Sequence, residues 1–154
     1  MILEIVRYEV EGWGVGDLRL LDGTLLMHAR PRPGSGLRPQ GDHPLVARFR
    51  AHLAGERVSY DDVELMLDGY TPLQLALVEA LRRVPWGETV SYGELAALAG
   101  APRAPRAAGA FCAQNQIALI LPCHRVVASN GIGGYGADGV ATKRRLLALE
   151  GVQL

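Results

Sequence analysis

Ser91-Tyr-Gly-Glu-Leu-Ala-Ala-Leu-Ala-Gly100, followed after Ala101-Pro102 by Arg103-Ala-Pro-Arg-Ala-Ala-Gly-Ala-Phe-Cys-Ala-Gln114, is the stretch on which the fold turns. Ser91 with Glu94 three residues later makes a capping box, which opens a helix running through Leu98-Ala99 until Gly100 ends it. The second stretch predicts a helix over about residues 104–114. Two short helices joined by a tight Gly/Pro turn predict a helix-turn-helix. The residues around Arg106 are almost all Ala or Gly, so a backbone or a nucleic-acid groove can approach while one long cationic arm protrudes. The same composition also suits an ordinary, tightly packed helix.

Upstream, Thr71-Pro-Leu-Gln74 is a second capping box with proline in the favoured first turn. Leu73, Leu77, Ala80, Leu81 and Val84 give its helix an apolar stripe, and Pro85 stops it. Downstream, Ile117-Ala-Leu-Ile-Leu121 is an apolar run of strand length, expected to be buried. A last helix is expected from about Val140 to Glu150, before Gly151. Its Lys143, Arg144 and Arg145 lie near the positive end of the helix dipole, and Glu150 lies near the negative end. This inversion suggests an anion contact at the start and a histidine partner for Glu150.

The first half reads as strands and loops. Leu3, Ile5 and Tyr8 begin an apolar pattern, and Gly12–Gly16 reads as a turn. Leu18–Leu21 and Thr24–His28 flank Asp22-Gly23, a hairpin signal. Residues 30–44 are rich in Pro and Gly and predict a loop. Leu45, Phe49, His52 and Leu53 recur at helical spacing, and Val63–Leu67 predicts one more strand. His28, His43 and His52 are too scattered, with no cysteine nearby, to predict a metal site. A boundary near residue 68 divides a support domain, 1–68, from a functional domain, 69–154.

With 154 residues, 49% of them hydrophobic and 21% charged, the chain is expected to form one or two compact domains rather than a disordered tail. No apolar run reaches the roughly 18 residues that span a bilayer. Acids in Met1–Val10 and two cysteines without a secretory leader point to a reducing cytoplasm. The formal charge of zero conceals a split: residues 1–70 carry 8 Arg against 11 Asp or Glu, and residues 71–154 carry 8 Lys or Arg against 5 acids. Anionic partners are therefore expected at the C-terminal half.

Cys123 follows the apolar run within Pro122-Cys-His-Arg-Val126. A cysteine on a buried segment is commonly an inert thiol, since burial raises its pKa. Here two ionisable residues follow at once: a histidine able to take the thiol proton, and a cation able to lower the thiol pKa from about 8.5 towards neutrality. The sequence has no Cys-x-x-Cys, which argues against thioredoxin-type redox chemistry.

Taken together, Gly87-Glu-Thr-Val-Ser-Tyr-Gly-Glu-Leu-Ala96, Pro122-Cys-His-Arg-Val126 and Lys143-Arg-Arg-Leu-Leu-Ala-Leu-Glu-Gly151 closely resemble the O6-alkylguanine-DNA alkyltransferases, over about residues 69–152. The resemblance implies an α+β fold. A small ribonuclease-H-like sheet domain with a helix would precede a helical domain carrying a winged-helix-like helix-turn-helix. It implies that Cys123 accepts the alkyl group, that His124 acts through a water as its base, and that Glu150 orients that histidine. Asn115 would hold the active-site turn, and Tyr92 would contact the rotating phosphate and help protonate the departing guanine. Arg106 would fill the gap left by the flipped nucleotide, from a helix whose small residues, Ala107 and Gly109 among them, dock in the minor groove of double-stranded DNA. The loop Ser129–Gly136, with Ser129 and Tyr135, would line the lesion pocket. No metal or organic cofactor, no membrane and a monomeric state are implied. Rival readings are an alkyltransferase-like protein that binds lesions without transfer, a DNA-binding regulator with a structural cysteine, and a cysteine hydrolase using Cys123 and His124.

Overall fold

The computed structural model describes residues 1–136 and 139–154. The chain divides into two compact units: residues 1–68 with 116–119, and residues 69–115 with 120–154.

The first unit is built on an antiparallel sheet in the order β1-β2-β3, formed by β1 (Leu3–Val10), β2 (Gly14–Leu21) and β3 (Thr24–Arg32). Asp22 and Gly23 both take positive φ, 50° and 82°, as the two-residue turn of a twisted hairpin requires. The predicted turn at Gly12–Gly16 is tighter than expected, because β2 already starts at Gly14, which pairs with Val10. Tyr8 lies opposite Gly16, where a Cβ would come within 2.7 Å of the Tyr8 ring, so only glycine leaves room for it. The helix α1 (Leu45–Leu53) buries Leu45, Val46, Phe49, His52 and Leu53. Phe49 stacks on His28, with ring centroids 3.9 Å apart, and burying such a side chain is worth about 1.5–3 kcal/mol. Val63–Leu67 does not form the predicted strand. It makes a single parallel bridge, Leu65 to Leu25, and its residues are half-buried or exposed.

His28 organises this unit. Its Nε2 lies 2.5 Å from the Tyr8 hydroxyl and its Nδ1 2.6 Å from the Ala118 carbonyl oxygen. The backbone N–H of His28 donates to the Gln116 carbonyl, and that of Ala118 donates to the His28 carbonyl. Complete burial holds the His28 pKa down at about 4, so the ring is neutral at physiological pH.

In the second unit, α2 (Pro72–Arg82) and α3 (Tyr92–Leu98) both begin with the expected capping boxes, at Thr71/Gln74 and Ser91/Glu94. α4 (Pro105–Ala113) follows the turn after Gly100 and buries Ala108 completely. A short parallel pair joins β4 (Val90–Ser91) to β5 (Val126–Val127), and α5 (Gly139–Leu149) completes the unit. Leu77, Leu81, Leu95, Val126, Leu146 and Leu147 supply its core.

The run Ile117–Leu121 is buried as its composition demands, but it is not a strand. It turns at Leu119, whose φ is 68°, and pairs with β3 only through one bridge, Ile117 to His28. Leu119 is 1% exposed, so its burial offsets a backbone conformation that side chains disfavour. Among the described residues, no helix is long and apolar enough to cross a membrane.

Candidate active site

Two local devices bring Tyr92 and Cys123 together. β4 runs straight into α3, so Ser91 is at once the last strand residue and the cap, and Tyr92 is the first helical residue. Its partner β5 begins directly after a single 3-10 turn formed by Cys123, His124 and Arg125. Pairing Val90 with Val126 and Ser91 with Val127 sets the start of α3 beside that turn. Tyr92 and Cys123 then line one cavity of about 100 Å³, together with Gly109, Cys112 and Ala113 of α4 and Gly134, Tyr135 and Gly136 of the following loop.

Asn115 closes the turn before the cysteine, its Nδ2 donating to the Leu121 carbonyl at 3.0 Å. Its side chain also favours the Cys123 thiolate. Behind the cysteine lies a buried charged group. His124 Nε2 is 2.7 Å from Glu150 Oε2, and neither side chain is exposed. Arg125 donates from Nε to Glu150 Oε1 at 2.7 Å and from a terminal nitrogen to Oε2 at 3.2 Å, and its other nitrogen donates to the Val84 carbonyl. Glu150 thus holds both the expected histidine and an arginine that the sequence presents only as a nearby cation. The carboxylate on Nε2 places the ring proton there, which leaves Nδ1 as the basic nitrogen.

Lys143 departs from expectation. Instead of meeting an anion at a helix start, its ammonium is buried and donates to the Val126 carbonyl at 2.6 Å and the Gly134 carbonyl at 2.9 Å. It also lies 5.8 Å from the centre of the Tyr92 ring. Lys143 ties β5 to the cavity loop, and its charge favours the Cys123 thiolate.

The expectation of a thiol held near neutrality is corrected. Hydrogen bonding with Cys112 and then burial push the Cys123 pKa well above its ordinary value, and Asn115 and Lys143 offset this only in part. The resting cysteine is therefore a thiol. Burial, with the two cysteines adding to it, also raises the Tyr92 pKa, so its hydroxyl keeps its proton.

Of the remaining candidates, Tyr135 lines the cavity, and Gly109 lies where an added Cβ would sit 3.8 Å from the Tyr92 ring. Ala107 is half-buried on α4, and Arg106 projects into solvent from its first turn. Ser129 is exposed in the turn after β5 and is not among the cavity-lining residues. Gly133, inside the expected loop Ser129–Gly136 but not singled out there, has a φ of +74°, and a Cβ on it would meet the Ala128 nitrogen at 3.0 Å and the Tyr92 hydroxyl at 3.3 Å. The density of glycine in residues 131–136 was its only sequence signal.

Comparison with known proteins gives the chain a lineage. The family model for the DNA-binding domain of 6-O-methylguanine DNA methyltransferase matches residues 72–152. A methylated-DNA–protein-cysteine methyltransferase of Mycobacterium bovis is 44% identical over 140 residues, 87% of this chain and 78% of that protein. The crystal structure of Mycobacterium tuberculosis O6-methylguanine methyltransferase superposes with a TM-score of 0.80 at 34% identity, covering 97% of this chain and 93% of the other. A structure of Mycobacterium tuberculosis OGT in complex with DNA gives a TM-score of 0.76 at 35% identity, covering 97% of this chain and 92% of the other. With more than half its length matched and its α+β fold shared, the chain belongs to the methylated-DNA–protein-cysteine methyltransferase family.

Proposed function

We infer that this protein repairs O6-alkylguanine in DNA by moving the alkyl group, once and irreversibly, to Cys123. The observation that carries this reading is the shared cavity, where a cysteine with a buried His124–Glu150 pair beside it and a protonated tyrosine line the same space. The target carbon lies inside the base stack, so the nucleotide must first be flipped out at a cost of a few kcal/mol. Arg106, exposed on the first turn of α4, enters the vacated gap. Ala107 and Gly109 offer little bulk, which lets this helix settle into the minor groove of double-stranded DNA. Tyr135 forms part of the wall of the lesion pocket, and Ser129 begins the loop that carries it.

Because the resting thiol is protonated, attack waits for proton removal. His124 takes the proton through a water, and the Glu150 carboxylate stabilises the imidazolium that results. The Cys123 sulfur then bonds to the alkyl carbon, and the carbon–oxygen bond breaks with its electron pair going to the guanine. Tyr92 supplies the proton that neutralises the leaving base. The product is a thioether, which water does not cleave, so each molecule acts once. These steps use side chains alone, without metal or organic cofactor. The same reading places a monomer in the cytoplasm, with a ribonuclease-H-like support domain at residues 1–68 and a winged-helix-like helix-turn-helix in the functional domain at 69–154.

The test is the intact mass of the protein after incubation with duplex DNA holding one O6-methylguanine. A gain of one methyl group, mapped to Cys123 and absent from Cys123→Ser, is expected. Retained lesion binding with unchanged mass would instead establish a protein that marks lesions without transfer.

A further inference from the structure

The alkyl-transfer reading leaves one nucleophile of the cavity unused. Cys112, on the last turn of α4, lines the same space of about 100 Å³ as Cys123, and its thiol is near enough to act on the protonation of Cys123. Both are free thiols, Cys123 buried and Cys112 half-buried. Packing alone asks only for a small apolar side chain at this position. A second thiol against the acceptor sulfur adds a chemistry that packing does not need.

We propose that Cys112 and Cys123 form a reversible disulfide when the protein meets a peroxide, a state that withdraws the acceptor sulfur without destroying it. The more exposed Cys112 reacts first. Its thiolate attacks one peroxide oxygen, a sulfur–oxygen bond forms, the oxygen–oxygen bond breaks, and hydroxide leaves. The Cys123 sulfur then attacks the sulfenic sulfur. A sulfur–sulfur bond forms, the sulfur–oxygen bond breaks, and the departing hydroxide leaves as water with the Cys123 proton. Two thiols and one hydrogen peroxide yield one disulfide and two waters, the peroxide being reduced by the electron pair that the sulfurs lose. A dithiol reductant reverses the change by thiol–disulfide exchange.

The consequence for function, which rests on the alkyl-transfer reading, is a stored form of a single-use protein. A cysteine alone in such a cavity would pass from sulfenic to sulfinic acid, from which simple thiols do not recover it. With Cys112 alongside, oxidation stops at a state that reduction restores.

The experiment treats the reduced full-length protein, without DNA, with equimolar hydrogen peroxide. Its intact mass and its non-reducing peptide map are then read, so the result does not depend on alkyl transfer. The expected product is a monomer lighter by two hydrogens, with residues 112 and 123 in one linked peptide pair. Added oxygen on Cys123 without linkage, or a disulfide-linked dimer, would overturn the proposal. In a second arm, peroxide-treated samples are reduced with dithiothreitol and assayed for methyl uptake, each normalised to its own untreated protein. Wild type is expected to recover about tenfold more of its uptake than Cys112→Ala. Equal recovery would also overturn the proposal, whereas absent uptake in untreated wild type would count against the alkyl-transfer reading alone.

Discussion

His124 and Glu150 meet through a 2.7 Å hydrogen bond between two side chains with no exposure to solvent. The carboxylate also carries the charge that balances Arg125. Glu150→Gln keeps the shape and removes the charge. It is expected to slow single-turnover methyl transfer by about 100-fold at pH 7, because the imidazolium formed at His124 loses its counter-charge. It also leaves a buried guanidinium uncompensated, which costs about 3 kcal/mol and lowers the melting temperature. Arg125→Met in the Glu150→Gln background separates the two effects: it should restore stability without restoring rate. A rate that recovers along with stability would show that Glu150 acts only as a support.

The raised pKa of Cys123 fixes the direction of its response to pH. A thiol whose pKa lies above the working pH gains thiolate tenfold per pH unit. Alkylation of Cys123 by iodoacetamide, followed by peptide mass, should therefore climb steeply between pH 7 and pH 9 without a plateau. Hydrogen bonding with Cys112 is the leading cause of the shift, so Cys112→Ala should move this profile to lower pH. Lys143 favours the thiolate, so Lys143→Met should move it the other way. A profile that is already flat at pH 7 would mean that the cysteine rests as a thiolate.

Arg106 is exposed in the first turn of α4. If its role is to occupy the gap in the duplex, Arg106→Ala should slow repair of duplex DNA by about tenfold or more, the cost of unstacking being a few kcal/mol. The free base, O6-methylguanine, needs no extrusion and should react with the variant at close to the wild-type rate. Equal losses on the two substrates would remove this role.

What the sequence reveals here is what is decided locally. The capping boxes at Thr71/Gln74 and Ser91/Glu94, the Asp22-Gly23 hairpin and the spacing of α1 each depend on neighbours a few residues away, and each appears as read. Ile117–Leu121 shows the limit. Its apolar residues signal burial, but not whether burial comes from a strand or from a turn with Leu119 at positive φ. Lys143 shows it again. A lysine at a helix start reads as an anion contact, whereas its burial rests on the Val126 and Gly134 carbonyls, which lie outside the helix. Cys123, His124 and Glu150 were legible as a set, whereas the thiol's protonation was not, since it depends on Cys112 and on burial.

His28 provides the test of how the first unit responds to acid. Held neutral between Tyr8 and the Ala118 carbonyl, it has a pKa of about 4 in the folded protein. In the unfolded chain it protonates near pH 6.5, the ordinary histidine value. Between these two values the unfolded state binds the extra proton, so stability falls as the pH drops from 6.5 to 4 and is fully present above that window. The loss over the window is about 3 kcal/mol from this one ring. Carboxylates titrate in part of the same range, so the comparison must be with a variant that keeps polar contacts but does not titrate. His28→Gln should be less stable at pH 7.5 yet show a markedly shallower decline in urea midpoint between pH 6.5 and pH 4. Parallel declines in the two proteins would show that His28 is not the group that carries the acid sensitivity.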